Sequence, residues 1–324
     1  MQNVESGKST DIGKDDELEG LSIDDAVSSL FNGINFTSHT SNREKEVLHY
    51  YKKRLKNLRI TPLPTGLIPR IEYSRKHLDF ISTSFNLPYI MLNLDVVERL
   101  TDKDLTAHDI YRCGDVITTS TIHDNVLCNY NVEREINVIK KFEPAWHIPC
   151  DYPTYYEDCD EGRKWFIDAI VEDTMTFMEA VEGTSIGVLP LVKGINENEW
   201  KWSISRFKEM GISYFAFYVK QYFGSNNGKN DKLMVKHIRR MVYSCHPDYL
   251  MLLGYQSPLR LQDIPPEVQA FAGERWIRGS KLNKLPLEQA GTEYLDWKRR
   301  FEEQGIHRQT VLNFKEESLS QEGY

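Results

Sequence analysis

The sequence predicts an α/β protein built on a parallel sheet, and three observations predict it. First, short apolar runs recur from about residue 66 onward: "GLIPRIEY", "YIMLNLD", "AWHIPCD", "SIGVLPLVKG", "ISYFAFYVK" and "YLMLLGYQ". Most are apolar almost throughout, as strands covered on both faces must be. Second, the stretches between them carry helical spacing. Phe166, Ile170, Phe177 and Val181 recur at steps of four, seven and four within 162–182. Trp200, Ile204 and Phe207 form the next stripe, and Ile238, Met241, Val242 and Cys245 the one after. Third, Gly211 follows the second of these helices, where a left-handed C-terminal glycine belongs. Strand–helix alternation of this kind makes a parallel sheet. A doubly wound open sheet and a (β/α)8 TIM-like barrel both satisfy it. No G-x-G-x-x-G follows the first strand, and the length of the pattern favours the barrel.

The ends of the chain differ in composition from this middle. Residues 1–42 carry eight acids against two lysines, with much Ser, Gly and Asn, and are expected to be a disordered acidic tail. Residues 43–77 invert that balance, with ten Lys/Arg against three Glu. This stretch is either a solvated helix face or a patch for nucleic-acid phosphates, through residues such as Lys52, Lys53 and Arg54. The barrel is expected over 43–280, including a basic N-terminal helix, and a C-terminal helix and tail over 281–324.

Composition excludes several classes. A net charge of −8 rules out a uniformly basic nucleic-acid binder but permits a local basic patch. Five cysteines with no C-x-x-C argue against a disulfide scaffold and for a reducing compartment, so a cytoplasmic protein is expected. No signal-peptide apolar region and no membrane-length apolar run is present. There is no P-loop, G-x-S-x-G or H-E-x-x-H. His147 and Cys150 lie three apart on a strand and so face opposite ways, which argues against a shared ion. No metal and no cofactor is expected.

Chemistry in a barrel sits at the C-terminal ends of its strands. "YIMLNLD" ends at Asp95, "AWHIPCD" at Asp151 and "GVLPLVKG" at Lys193; "SYFAFYVKQ" ends at Lys220 and Gln221, and "YLMLLGYQSP" at Tyr255 and Gln256. The ordinary alternative for Asp151 is a turn aspartate before Pro153, and for Asp95 a helix N-cap. Lys193, between an apolar run and Gly194, is harder to explain blandly. In "HIPCDYPTYYEDCDEG" the acids after Tyr156 read as the acidic first turn of the next helix.

The order of these pieces resembles the tRNA-guanine transglycosylase superfamily, TIM-barrel enzymes that exchange guanine in a nucleic acid for a 7-deazaguanine; a phage and genomic-island branch acts on DNA. The resemblance spans roughly residues 88–280. "PYIMLNLD" offers Asp95 in the place of the first catalytic aspartate, and "NVEREINVIKKFEPAWHIPCDYPTYYED" offers Asp151 in the base-recognition place. "GVLPLVKGINENEW" stands where the family has a Gln-Gly pair, with Lys193 for the glutamine. "GISYFAFYVKQ" and "HPDYLMLLGYQSPLRL" follow in order. In "VQAFAGERWIRGS", Phe271 and Trp276 fit the nucleophile strand, but Ala272 replaces its aspartate, and the family's zinc motif is absent.

The resemblance implies a nucleic acid, DNA or RNA, and a 7-deazaguanine base as substrates, with room for a homodimer or a heteromer. It implies Asp95 or Glu274 as the catalytic carboxylate, since Glu274 would share Ala272's face of the strand. Substrate contacts are expected from Asp151, Lys193, Lys220, Tyr255 and Gln256. Tyr152, Tyr155, Tyr156 or Trp276 would flank a flipped base. Arg239 and Arg240 join the expected phosphate contacts. The missing aspartate leaves open a catalytically silent binding or partner subunit, and an unrelated TIM-barrel glycosidase or lyase also remains.

Overall fold

The computed structural model describes residues 62–82, 87–154, 159–223 and 230–321. The expected acidic tail, most of the basic stretch with Lys52, Lys53 and Arg54, and Tyr155 and Tyr156 lie outside them. The unit spanning Thr61–Tyr324 is an α/β fold around one parallel sheet. Its strands are β1 (Gly66–Ile71), β2 (Tyr89–Asn93), β3 (Asp115–Thr119), β4 (Trp146–Ile148), β5 (Gly187–Val188), β6 (Leu191–Val192), β7 (Tyr214–Tyr218), β8 (Tyr249–Leu253) and β9 (Val268–Gly273). The helices, in chain order, are α1 (Arg75–Ser82), α2 (Leu94–Thr101), α3 (Ala107–Ile110), α4 (Asp124–Leu127), α5 (Val132–Phe142), α6 (Asp160–Ala180), α7 (Glu197–Glu209), α8 (Asp231–Cys245), α9 (Trp276–Gly279) and α10 (Leu287–Gln321).

The strand order is β5-β4-β3-β2-β1-β9-β8-β7-β6, parallel at every pairing. It runs through the chain in cyclic sequence with no reversal, so the switch point of a doubly wound sheet does not occur. The sheet curls, and its two outermost strands are consecutive pieces of chain separated by Leu189 and Pro190 alone. The ladder has nine short members rather than the eight continuous strands expected from the sequence. The run "GVLPLV" breaks because proline has no N–H to give to a ladder. Bonding continues across the break through its neighbours: Leu189 N–H donates to the His147 carbonyl at 2.8 Å, and the Pro190 carbonyl accepts from Ala216 N–H at 2.8 Å.

Each strand faces two cores. Ile68, Met91, Ile117, Trp146, Ile148 and Leu191 point inside the curl, where Met251, Ala270 and Ala272 meet them. The alternate residues, such as Leu67, Val116, Phe215 and Leu250, pack outward under the helices. Two buried faces explain the near-continuous apolar strands. Helix ends are cut by local chemistry. Asn131 caps α5 by accepting from Arg134 N–H at 2.9 Å, and Glu143 ends it in a left-handed turn. Asn196 caps α7, accepting from Asn198 and Glu199 N–H groups. Gly211, at φ 70°, takes the expected place after α7. The C-terminal helix is longer than the sequence pattern suggested, running to Gln321. Among the described residues, no helix is long and apolar enough to cross a membrane.

Candidate functional site at the strand ends

Two residues after β4, the chain turns sharply. Cys150 is buried with φ 58°, a left-handed conformation uncommon for a residue with a Cβ, and the turn carries Asp151 to the end of the curl. Four separate contacts hold residues 150–152. The Glu135 carboxylate accepts from Cys150 N–H at 3.1 Å, and Ser120 Oγ accepts from Asp151 N–H at 3.0 Å. Lys193 donates to the Tyr152 carbonyl at 2.8 Å, and the Tyr152 hydroxyl donates to Asp173. Glu135 is itself fixed from behind, taking His147 Nε2 at 2.7 Å while His147 Nδ1 meets Thr118 Oγ1 at 2.7 Å. Both ring nitrogens of His147 are thus occupied. Such an arrangement spends buried polar groups on the aim of one turn.

Asp151 and Lys193 form a buried ion pair, with side-chain exposures of 6% and 7%. The Lys193 ammonium also lies 5.2 Å over the Tyr218 ring. Lys193 is presented by Gly194, whose φ of 143° and 2.7 Å approach of a would-be Cβ to the Trp200 nitrogen admit no larger residue. Burial pushes the Asp151 carboxyl up, against the downward pull of Lys193. Burial likewise raises the Tyr218 hydroxyl to about 12, with Asp151 adding to the rise. The Lys193 ammonium is the donor to Asp151 Oδ1, a charge-assisted contact between two buried groups.

The second charged centre at this end is Arg70, from β1. It is buried, and it donates to Asn93 Oδ1 and to the Thr121 carbonyl. Its Nε lies 4.0 Å from Glu274 Oε1. Burial lowers its pKa, opposed first by Glu274, then by Tyr218, Asp151 and Asp95. Arg70, Glu274, Tyr218 and the Asp151–Lys193 pair therefore share one electrostatic neighbourhood, supplied by β1, β4, β6, β7 and β9.

Other expected site residues stand elsewhere. Asp95 lies in the first turn of α2, not at the strand's tip, and its carboxylate pairs with Arg99 at 2.6 Å. It lines a rim cleft of about 440 Å³ with Glu98, Arg99, Tyr130 and Arg134. Lys220 is exposed on a 3-10 turn (Lys220–Phe223). Gln221 donates to the Gly194 carbonyl at 3.0 Å. Tyr152 meets Lys193 through its backbone carbonyl, while its hydroxyl goes to Asp173 and its ring stacks on Phe166 at 6.2 Å.

Three residues expected to contact substrate are engaged in packing. Tyr255 points outward into the helix layer and stacks on Phe223 at 5.9 Å. The Gln256 amide is fully engaged: it donates to the Ile68 and Phe271 carbonyls at 3.0 and 3.2 Å and accepts from Trp276 N–H. Trp276 has no exposed surface; its indole N–H donates to the Arg70 carbonyl at 2.9 Å, and its ring packs on His77 and Phe80. These two residues brace Arg70's strand from outside and leave no face for a base. Arg239 and Arg240 lie on α8, paired with Asp263 and Glu197.

The reading of polar strand ends missed Arg70, Tyr218 and Glu135. Arg70 had a visible signal, because a charge two residues from Ile68 in a buried strand shares that residue's inward face. Glu135 had none, since its partners are twelve and fifteen residues away in sequence. When the chain was compared with known proteins, no family model matched it and no curated protein did.

Proposed function

We propose that this end of the sheet binds a guanine-like base and that the protein exchanges such a base in a nucleic acid for a 7-deazaguanine. The Asp151–Lys193 pair carries the reading: a carboxylate and an ammonium from separate strands, paired and buried together at the strand ends. A guanine edge presents one acceptor, O6, next to two donors, N1–H and the exocyclic N–H. An aspartate–lysine pair offers the complement, with Lys193 donating to O6 and Asp151 accepting from the donors. Bases lacking that donor pair would leave the remaining acceptor capacity of the buried carboxylate unfilled, a penalty of about 1–3 kcal/mol. The frame is read here as a (β/α)8 barrel whose fifth strand is interrupted at Pro190, which puts the site at the face where such barrels carry their chemistry.

Exchange breaks an N-glycosidic bond through an oxocarbenium-like state, which a nearby carboxylate stabilises or captures. Glu274 is the better placed of the two candidates. It shares Arg70 with the base-binding pair, whereas Asp95 is engaged with Arg99 on the rim. Incubation with polynucleotide and labelled guanine tests the assignment. Glu274→Gln is expected to abolish incorporation, and Asp95→Ala to retain it; the reverse pattern would move the nucleophile to Asp95.

One observation favours a second reading. Ala272, in the place of the expected aspartate, is buried in the inner core, so no carboxylate occupies that position. A base-binding but catalytically silent partner subunit follows from that. Full exchange activity by the isolated chain would eliminate it.

A further inference from the structure

A second charged region lies on the flank, away from the Asp151–Lys193 pair. Between α8 and the 3-10 turn Pro258–Asp263 runs a cleft of about 350 Å³, lined by Lys232, Lys236, Arg239, Arg240, Arg260 and Asp263. Five cations and one carboxylate line it, in a chain whose net charge is −8. The opposite face of α8 is buried through Met234, Ile238 and Met241, which fixes the cationic face outward.

The cations fall into two kinds. The guanidinium groups are oriented by acids. Arg239 donates to the Asp263 carbonyl at 2.8 Å, Arg260 pairs with Asp231 at 2.9 Å and reaches Asp263 at 3.5 Å, and Arg240 pairs with Glu197 at 3.1 Å. Lys232 and Lys236 are four residues apart on α8, hence stacked on one face, and neither forms an ion pair with any described residue. Like charges on one exposed face repel one another, and a polyanion relieves that repulsion. Pre-oriented guanidinium forks beside free ammonium groups suit tetrahedral phosphate oxygens.

Position decides among phosphate ligands. Arg260 grips Asp231, the first residue of α8, and the 3-10 turn and α8 both follow strands that end at the site face. The cleft therefore descends from the rim along the flank, as a path for a strand whose reacting nucleotide sits at the strand ends.

We propose that this cleft binds the phosphate backbone of a nucleic-acid strand and is a docking surface separate from the base-binding pair. It rests on the proposed function only for the identity of the polymer. The test is fluorescence anisotropy of a labelled single-stranded oligonucleotide with the full chain, across a salt series. Lys232→Gln with Lys236→Gln removes two exposed cations that form no ion pair among the described residues, so the fold should tolerate the change. The expected result is a loss of affinity on the order of tenfold at 0.1 M salt. The slope of log affinity against log salt should become shallower by about 1.4, the value for two lost phosphate contacts on a single strand. A control pair, Lys140→Gln with Lys284→Gln, makes the same charge change on exposed lysines outside the cleft. Binding by the cleft variant that matches the control's would overturn the proposal. So would tripolyphosphate binding at least as tightly as the oligonucleotide with the same dependence on Lys232 and Lys236, because the ligand would then be a small phosphate compound. Failure of the two readings is separable. Absent base exchange with an intact cleft effect rejects the chemistry alone, and exchange without a cleft effect rejects the cleft alone.

Discussion

Asp151 and Asp95 both follow strands that end at the same face, yet the first is buried against an ammonium and the second is a quarter exposed against a guanidinium. The contrast lies in what each charge gave up to reach its place. Asp95 and Arg99 are one helical turn apart on α2 and keep much of their hydration, so their pairing contributes little. Asp151 and Lys193 come from separate strands and have lost nearly all solvent, so each depends on the other. A rim pair of the first kind is ordinary surface chemistry. A pair of the second kind has lost the hydration of both charges and carries a desolvation cost that a rim pair does not.

The sharpest way to break this contrast is to remove one partner at a time. Lys193→Met is expected to cost about 3–5 kcal/mol of unfolding free energy at neutral pH in urea titrations, because it strands a buried charge. The double variant with Asp151→Asn should recover most of that loss, and a double variant as unstable as the single would show that the pair is not energetically coupled. Next in size is the support behind the turn. Glu135→Leu leaves Cys150 N–H and His147 without their acceptor and is expected to cost about 2–3 kcal/mol, while Glu135→Gln, which keeps an acceptor oxygen, should cost less.

A smaller effect is expected from pH. Burial raises the Asp151 carboxyl in the folded protein, so the folded state binds this proton more tightly than the unfolded chain does. Stability from this group is full below the ordinary aspartate range and is lost as pH rises through the raised value. Relative to Asp151→Asn, the wild-type protein should therefore lose stability as pH climbs above the ordinary aspartate value of about 4. A difference between the two proteins that is flat with pH would contradict the burial account. Smallest of all, Asp95→Asn should change stability by less than about 0.5 kcal/mol, and a loss as large as that of Lys193→Met would erase the distinction between the two carboxylates.

The same contrast explains how much the sequence disclosed. Continuous apolar runs and helical stripes placed the strands and helices, because burial on two faces or one leaves a pattern in residue type. Asp151 and Lys193 were visible as polar groups closing such runs. Gln256 and Trp276 were visible in the same way, yet packing turned both into braces for β1 and β9. A strand-end side chain can bond inward to backbone or outward to a ligand, and residue type does not distinguish the two. The break at Pro190 was written in the sequence as a proline within an apolar run, and its effect on the ladder follows from the missing N–H. Glu135 acts across twelve residues through a helix–strand contact that no local pattern encodes.

The measurement that bears most directly on the central claim is incorporation of labelled guanine, and of a labelled 7-deazaguanine, into DNA and RNA by the wild-type chain and by Asp151→Asn. The account predicts incorporation into one of the two polymers by the wild type and none by the variant, which should still bind oligonucleotide with unchanged affinity. Incorporation by Asp151→Asn at the wild-type rate, or none by the wild type into either polymer, would contradict it.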